Sequence, residues 1–205
     1  MTTVESRRER KKIAARAQLL SVAIDLFSRR GLDAVTIDDI AAAADVGKGT
    51  IYNYFATKED IVVAFMADLE VRMAPTIARF RPGHRPMHRI LAGYILLHFR
   101  LKAPYHAFVR VFLAQMFTNT ARFFPYMVEM QKYIDPPLQS LFSELAERGL
   151  LRADIDLPQL TMSFKTMHLG LTALWAIEGP PFKQTTKVVR QQMQFFTQGI
   201  LRKTQ

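Results

Sequence analysis

Between Thr36 and Ile61 the chain reads Thr-Ile-Asp-Asp-Ile-Ala-Ala-Ala-Ala-Asp-Val-Gly-Lys-Gly-Thr-Ile-Tyr-Asn-Tyr-Phe-Ala-Thr-Lys-Glu-Asp-Ile, and few backbones accept that order. Thr36 followed three residues later by Asp39 is a capping-box-like helix start, and Ile37, Ile40 and Ala41 fall on one face of the short helix it opens. Ala44 is small enough to admit a second helix, Asp45 tolerates the left-handed backbone of a sharp turn, and Val46 fills the angle between the two helices. The second helix starts near Gly47 and turns Ile51 and Phe55, four apart, to the inside. The stretch is therefore read as two short helices and a tight turn, leading into a longer helix.

What this arrangement leaves outside is Lys48, Gly49, Thr50, Tyr52, Asn53 and Tyr54. Cation, hydroxyl, amide and phenol side chains on one and a half turns suit the base edges and phosphates of duplex DNA. The wider pattern Ala23-x-x-Leu26-Phe27-x-x-x-Gly31-x-x-x-x-Thr36-x-x-x-Ile40-Ala41-x-x-Ala44-x-Val46-x-Lys48-Gly49-Thr50-Ile51-Tyr52-x-Tyr54-Phe55-x-x-Lys58-Glu59-Asp60-Ile61 resembles the TetR family of bacterial transcription regulators over the first third of the chain. Two positions depart from that family's pattern. Asp45 stands where a turn glycine is usual, and Gly47 where a serine or threonine usually caps the recognition helix and touches phosphate.

The resemblance implies a homodimer that reads a palindromic double-stranded operator and answers a small-molecule effector. It gives Lys48 a guanine edge and brings Gly49, Thr50 and Tyr52 to the groove. Asn53, Tyr54, Thr36 and Lys58 are left for the DNA backbone. Lys58, in the first turn of the next helix, also has the setting of a phosphate ligand, because its charge adds to the free amides there. Arg7, Arg8, Arg10, Lys11 and Lys12 form a basic run near the N-terminus. It reads either as an arm that follows a groove or as a solvated charged end.

In the 205 residues there are ten Lys and Arg against nine Asp and Glu up to residue 60, and eighteen against nine thereafter. The excess positive charge thus lies mostly outside the proposed reader, so net charge alone does not argue for DNA binding. With no cysteine, disulfides and thiolate metal sites are excluded. No apolar run is long enough to span a bilayer and no signal-peptide core follows the N-terminus, so a soluble, cytoplasmic protein without a membrane partner is expected.

Along the chain, Ile13, Ala17, Leu20, Ile24 and Phe27 predict a support helix from Ile13 to Gly31, with residues 1–8 outside it. Thr57 to Asp60 repeats the capping logic and opens a long helix that Pro75 should end or kink near Ala74. Further helices are expected over about 87–101, 105–118, 122–134, 137–148, 158–178 and 184–202, punctuated by Pro86, Pro104, Pro136-Pro137, Gly149, Pro158 and Gly179-Pro180-Pro181. No stretch has strand alternation. The fold class is all-α, with a three-helix head over residues 1–56 and a helical bundle over 57–205 for effector binding and dimerisation.

The bundle segment is rich in Phe, Met and Tyr, which fill a core or line an apolar cavity. Candidate pocket residues are Tyr94, His98, Phe108, Phe112, Met116, Met127, Phe164 and His168; the positive balance of this part leaves an anionic guest open. Candidate dimer-interface residues are Leu160, Phe164, Met167, Leu171, Trp175, Val189, Met193 and Phe196, with packing inside one chain as the alternative. His84 and His88 have a helical metal spacing, but Pro86 intervenes and no acid is near, so no metal or cofactor is expected. Gly47-Lys48-Gly49-Thr50 lacks the order and the upstream glycine of a phosphate loop, and nucleophile-elbow and zinc-protease motifs are absent, so an enzyme is not expected. The alternative to an effector-released repressor is an effector-independent regulator or an activator.

Overall fold

The computed structural model describes residues 7–201. Its elements in order are α1 Arg7–Arg30, α2 Ile37–Ala43, α3 Lys48–Tyr52, α4 Lys58–Ala78, α5 Met87–Lys102, a 3-10 turn Ala103–Tyr105, α6 His106–Thr118, α7 Thr120–Glu147, α8 Leu157–Glu178 and α9 Lys183–Ile200. The only β pairing among the described residues is an isolated bridge between Leu151 and Leu201, so the all-α expectation holds. No helix among them is long and apolar enough to cross a membrane.

Packing divides the chain into one unit up to Met66 and a second from Ala67 onward, a division that falls inside α4. In the first unit α1 packs on α2 and α2 on α3. Leu19, Leu20, Ala23, Ile24 and Phe27 of α1 meet Val35, Ile40, Ala44, Ile51, Phe55 and Ile61 in a core where each is under a tenth exposed. The support helix starts at Arg7, six residues before the apolar pattern begins. Apolar spacing reports only the buried part of a helix, and Arg, Lys and Glu propagate an exposed turn well. Ile13, expected inside, is half exposed.

In the second unit α5 lies along α9, while α8 touches α5, α6, α7 and α9. Prolines correct two expected boundaries. Helix α4 passes Pro75 and ends at Ala78. The two segments expected over 122–134 and 137–148 are one helix, α7, which carries Pro125, Pro136 and Pro137 within it. A proline removes one N–H donor and crowds one carbonyl. Here Pro125 and Pro136 are exposed, and the opposite face of α7 is held by Phe123, Met130, Leu138, Leu141, Phe142 and Leu145, all buried. At the start of α9 the Glu178 carboxylate accepts from the backbone N–H groups of Gln184 (2.8 Å) and Thr185 (2.6 Å). The hydrogen bond from the Thr185 hydroxyl above all, and then these two, hold its carboxyl below the usual range.

Candidate DNA-reading surface and bundle core

Helix α2 is opened by the expected capping box. The Thr36 hydroxyl accepts from the Asp39 N–H at 3.1 Å, and Asp39 Oδ2 accepts from the Thr36 N–H at 2.8 Å. Asp39 also receives the Thr36 hydroxyl proton and the Arg30 guanidinium, and its carboxyl is pushed down to about 2 by these hydrogen bonds, Thr36 first. The turn follows at Asp45, whose φ of +54° is the left-handed conformation that aspartate accepts better than most side chains. Gly47 then caps α3 with no side-chain hydrogen bond.

Helix α3 has only five residues, far too few to persist alone, so tertiary contacts hold it. Ile51 and Phe55 are 0 and 1% exposed, and the Arg16 guanidinium lies 5.6 Å over the Phe55 ring. On the outer side Lys48, Gly49, Tyr52 and Asn53 are exposed and Thr50 and Tyr54 half-buried. Tyr52 is 54% exposed, a large aromatic side chain left in water. Lys48 pairs at 2.5 Å with Asp38 of α2, both well exposed. Such a pair gives up little when a better partner for the amine arrives.

Two expected backbone contacts take a different form. Arg7, Arg8, Arg10, Lys11 and Lys12 are not an extended arm but the exposed first turns of α1; residues 1–6 lie outside the described residues. Lys58, assigned to phosphate, donates to the carbonyl oxygens of Leu32 (2.7 Å), Val35 (3.4 Å) and Asp33 (3.5 Å). Its amine closes off the loop between α1 and α2. The capping box of α4 is present as expected, with Thr57 and Asp60 bonding each other's backbone N–H at 3.0 and 3.1 Å.

In the bundle, four of the eight pocket candidates come together. The Tyr94 ring lies 4.8 Å from His98 and 6.0 Å from Phe164, and His168 lies 5.0 Å from His98 at 85°. The Tyr94 hydroxyl, both ring nitrogens of His98 and Nε2 of His168 are buried without a hydrogen-bond partner. An unpaired buried group of this kind costs about 1–3 kcal/mol. Burial above all, then the neighbouring His168 and Lys102, holds His98 well below the usual imidazole range; burial and Lys102 push His168 down to about 3. Burial raises the Tyr94 phenol. The other candidates have other neighbours: Phe108 stacks on Tyr105, Phe112 meets Phe123 edge-on at 4.7 Å, and Met116 and Met127 are half-buried.

Tyr94 also forms part of the wall of a pocket of about 240 Å³, with Ile77, Phe80, Leu141, Pro136 and Arg81 among its lining. Sequence reasoning missed the adjoining ion pair of Glu70 and Lys102, whose side chains are 5 and 11% exposed. The signal was there: Met66, Glu70, Met73 and Ile77 form one helical stripe, an acid in a buried row.

The expected interface residues are corrected in the same way. Leu160, Phe164, Leu171, Trp175, Val189 and Met193 are buried within their own chain, and Met167 and Phe196 are half-buried. The apolar groups that α8 and α9 leave in water are Met162, Leu169, Leu174 and Ile177, and Phe195, from 41 to 77% exposed.

A short helix anchored from behind, fronted by exposed polar and aromatic side chains and set on a capped turn, defines a helix-turn-helix regulator that binds DNA. Residues 19–65 match the family model for bacterial regulatory proteins of the tetR family. The HTH-type transcriptional repressor KstR2 of Mycobacterium tuberculosis is 28% identical over 183 residues, covering 86% of this chain and 88% of that one. The HTH-type transcriptional regulator RutR of Escherichia coli is 32% identical over 111 residues, 54% of this chain and 51% of its own. In fold, the chain is similar to Thermus thermophilus FadR, a TetR-family repressor solved with lauroyl-CoA. That likeness has a TM-score of 0.73 at 19% identity over 93% of this chain and 97% of that one. The matched segment is that of the TetR family of bacterial regulatory proteins, and the relatives named here are transcriptional regulators rather than enzymes.

Proposed function

We propose that the chain is a homodimeric repressor that binds a palindromic operator through paired α3 helices and is released by a small, largely apolar effector held in the bundle. The exposure of Lys48, Tyr52 and Asn53 on a helix pinned by Ile51 and Phe55 is the observation that carries the DNA part. A two-fold assembly supplies two such helices, and heads about one DNA turn apart match inverted half-sites. The apolar stripe of Met162, Leu169, Leu174 and Ile177 supports α8 as the seam between copies, with Gly170 allowing close approach. The repressor reading is favoured by KstR2, and an apolar effector by the fold shared with a protein solved with lauroyl-CoA.

Signal transfer would run along α4, which begins in the first unit and ends in the second beside the Tyr94 pocket. The test is operator selection from random duplexes, followed by titration of the winning site across salt. Lys48→Ala should lose about 1–3 kcal/mol of specific binding and relax one base position. Unchanged affinity and specificity would refute the assignment of α3.

A further inference from the structure

The unpaired atoms of Tyr94, His98 and His168 sit on three side chains linked through the His98 ring, where α5 meets α8. Protein interiors leave few polar atoms without partners, so several on one contiguous cluster mark a place where something else supplies the bonds. The charges around it are already matched. Lys102, one turn beyond His98, is held by Glu70, and no other Lys or Arg is buried among the described residues. Burial and the charge of Lys102 keep both imidazoles neutral near pH 7. The site therefore offers donors and acceptors but no free cation. A phenol and a neutral imidazole can each give and accept a hydrogen bond, which fits a hydroxyl or a carbonyl equally well. A carboxylate placed there would be stripped of water with no compensating charge.

Resting on the reading of the bundle as an effector site, we propose that Tyr94, His98 and His168 bind the polar end of the effector, and that this end is an uncharged oxygen function such as an alcohol or ketone. A carboxylate is excluded from this end of the site. The apolar body of the guest runs toward Ile77, Phe80 and Leu141, which share a pocket with Tyr94. Any negative charge on the guest lies at its far end, in water.

Chain-matched probes decide this: 1-decanol, 2-undecanone and decanoate, titrated calorimetrically into the full-length protein at pH 7.5. The alcohol or the ketone should bind at least tenfold more tightly than decanoate. Tyr94→Phe and His98→Leu should each weaken it about tenfold, yet raise the melting temperature of the unliganded protein by about 2–4 °C, because an unmet polar atom is gone. Decanoate binding most tightly, and losing affinity in His98→Leu, would overturn the neutral-end assignment and leave the effector site standing. Probe binding indifferent to both variants, with melting temperatures that fall, would show the cluster to be satisfied internally and overturn the proposal. A ketone that binds through these residues without releasing the operator in a gel shift would sink the repressor-release reading alone.

Discussion

Replacing Lys102 by methionine isolates the energetics of the bundle core. The Lys102 amine meets the Glu70 carboxylate where neither side chain is more than 11% exposed, so the substitution strands a buried carboxylate on α4. Breaking one side of such a pair costs about 3–5 kcal/mol, most of it the desolvation of the charge left behind. For a chain of this size each kcal/mol shifts the melting point by about 2–4 °C, which gives a fall of roughly 6–20 °C. The assay is urea unfolding followed by fluorescence of Trp175, the single tryptophan, which is 2% exposed in the second unit. Glu70→Met combined with Lys102→Met should return to within about 1 kcal/mol of the parent, since an apolar pair of similar volume owes no desolvation. A loss below about 1 kcal/mol in Lys102→Met, or a double variant no better than the single, would refute the view that this pair is dry.

Other outcomes follow from the same coordinates. Lys58→Met removes the donor to three loop carbonyls; it should cost the head about 1–3 kcal/mol, read by faster amide exchange between α1 and α2, with the salt dependence of DNA binding unchanged. A flatter salt slope at undiminished stability would restore Lys58 to a phosphate. His98 and His168 are neutral when folded but take protons near pH 6.5 when unfolded. The unfolded state thus binds more protons below that pH, and stability falls by about 1.4 kcal/mol per pH unit for each imidazole as the pH drops toward 5. The double variant His98→Leu/His168→Leu should show a visibly shallower fall in urea midpoints between pH 7.5 and 5. Ile177→Glu, at a position 77% exposed, should leave the monomer fold intact and turn a dimer into monomers by light scattering; no change in mass would remove α8 from the seam.

The parts of this molecule that the sequence discloses are those decided within a turn or two of chain. Thr36 with Asp39, Thr57 with Asp60, and the left-handed Asp45 need no distant partner, and each is found where its spacing puts it. What local spacing leaves hidden has the opposite property. Lys58 meets a carbonyl 26 residues back, and His98 meets a histidine 70 residues on, so neither partner is visible locally. Pro75 and Pro136 are strong local breakers that a buried face overrides. Helix α8 carries apolar groups on both sides, and periodicity finds the two stripes without saying which one the chain keeps for itself.

The bare start of the reading helix leaves room for a more adhesive version of this head. A methylene placed on Gly47 would touch nothing within 4 Å, and the local backbone, φ −73° and ψ 149°, is open to any L residue. A serine there could tether the helix and reach for the sugar-phosphate rail with one added hydroxyl. Gly47→Ser is therefore expected to tighten the grip on DNA, and a single codon separates this chain from a clingier sibling.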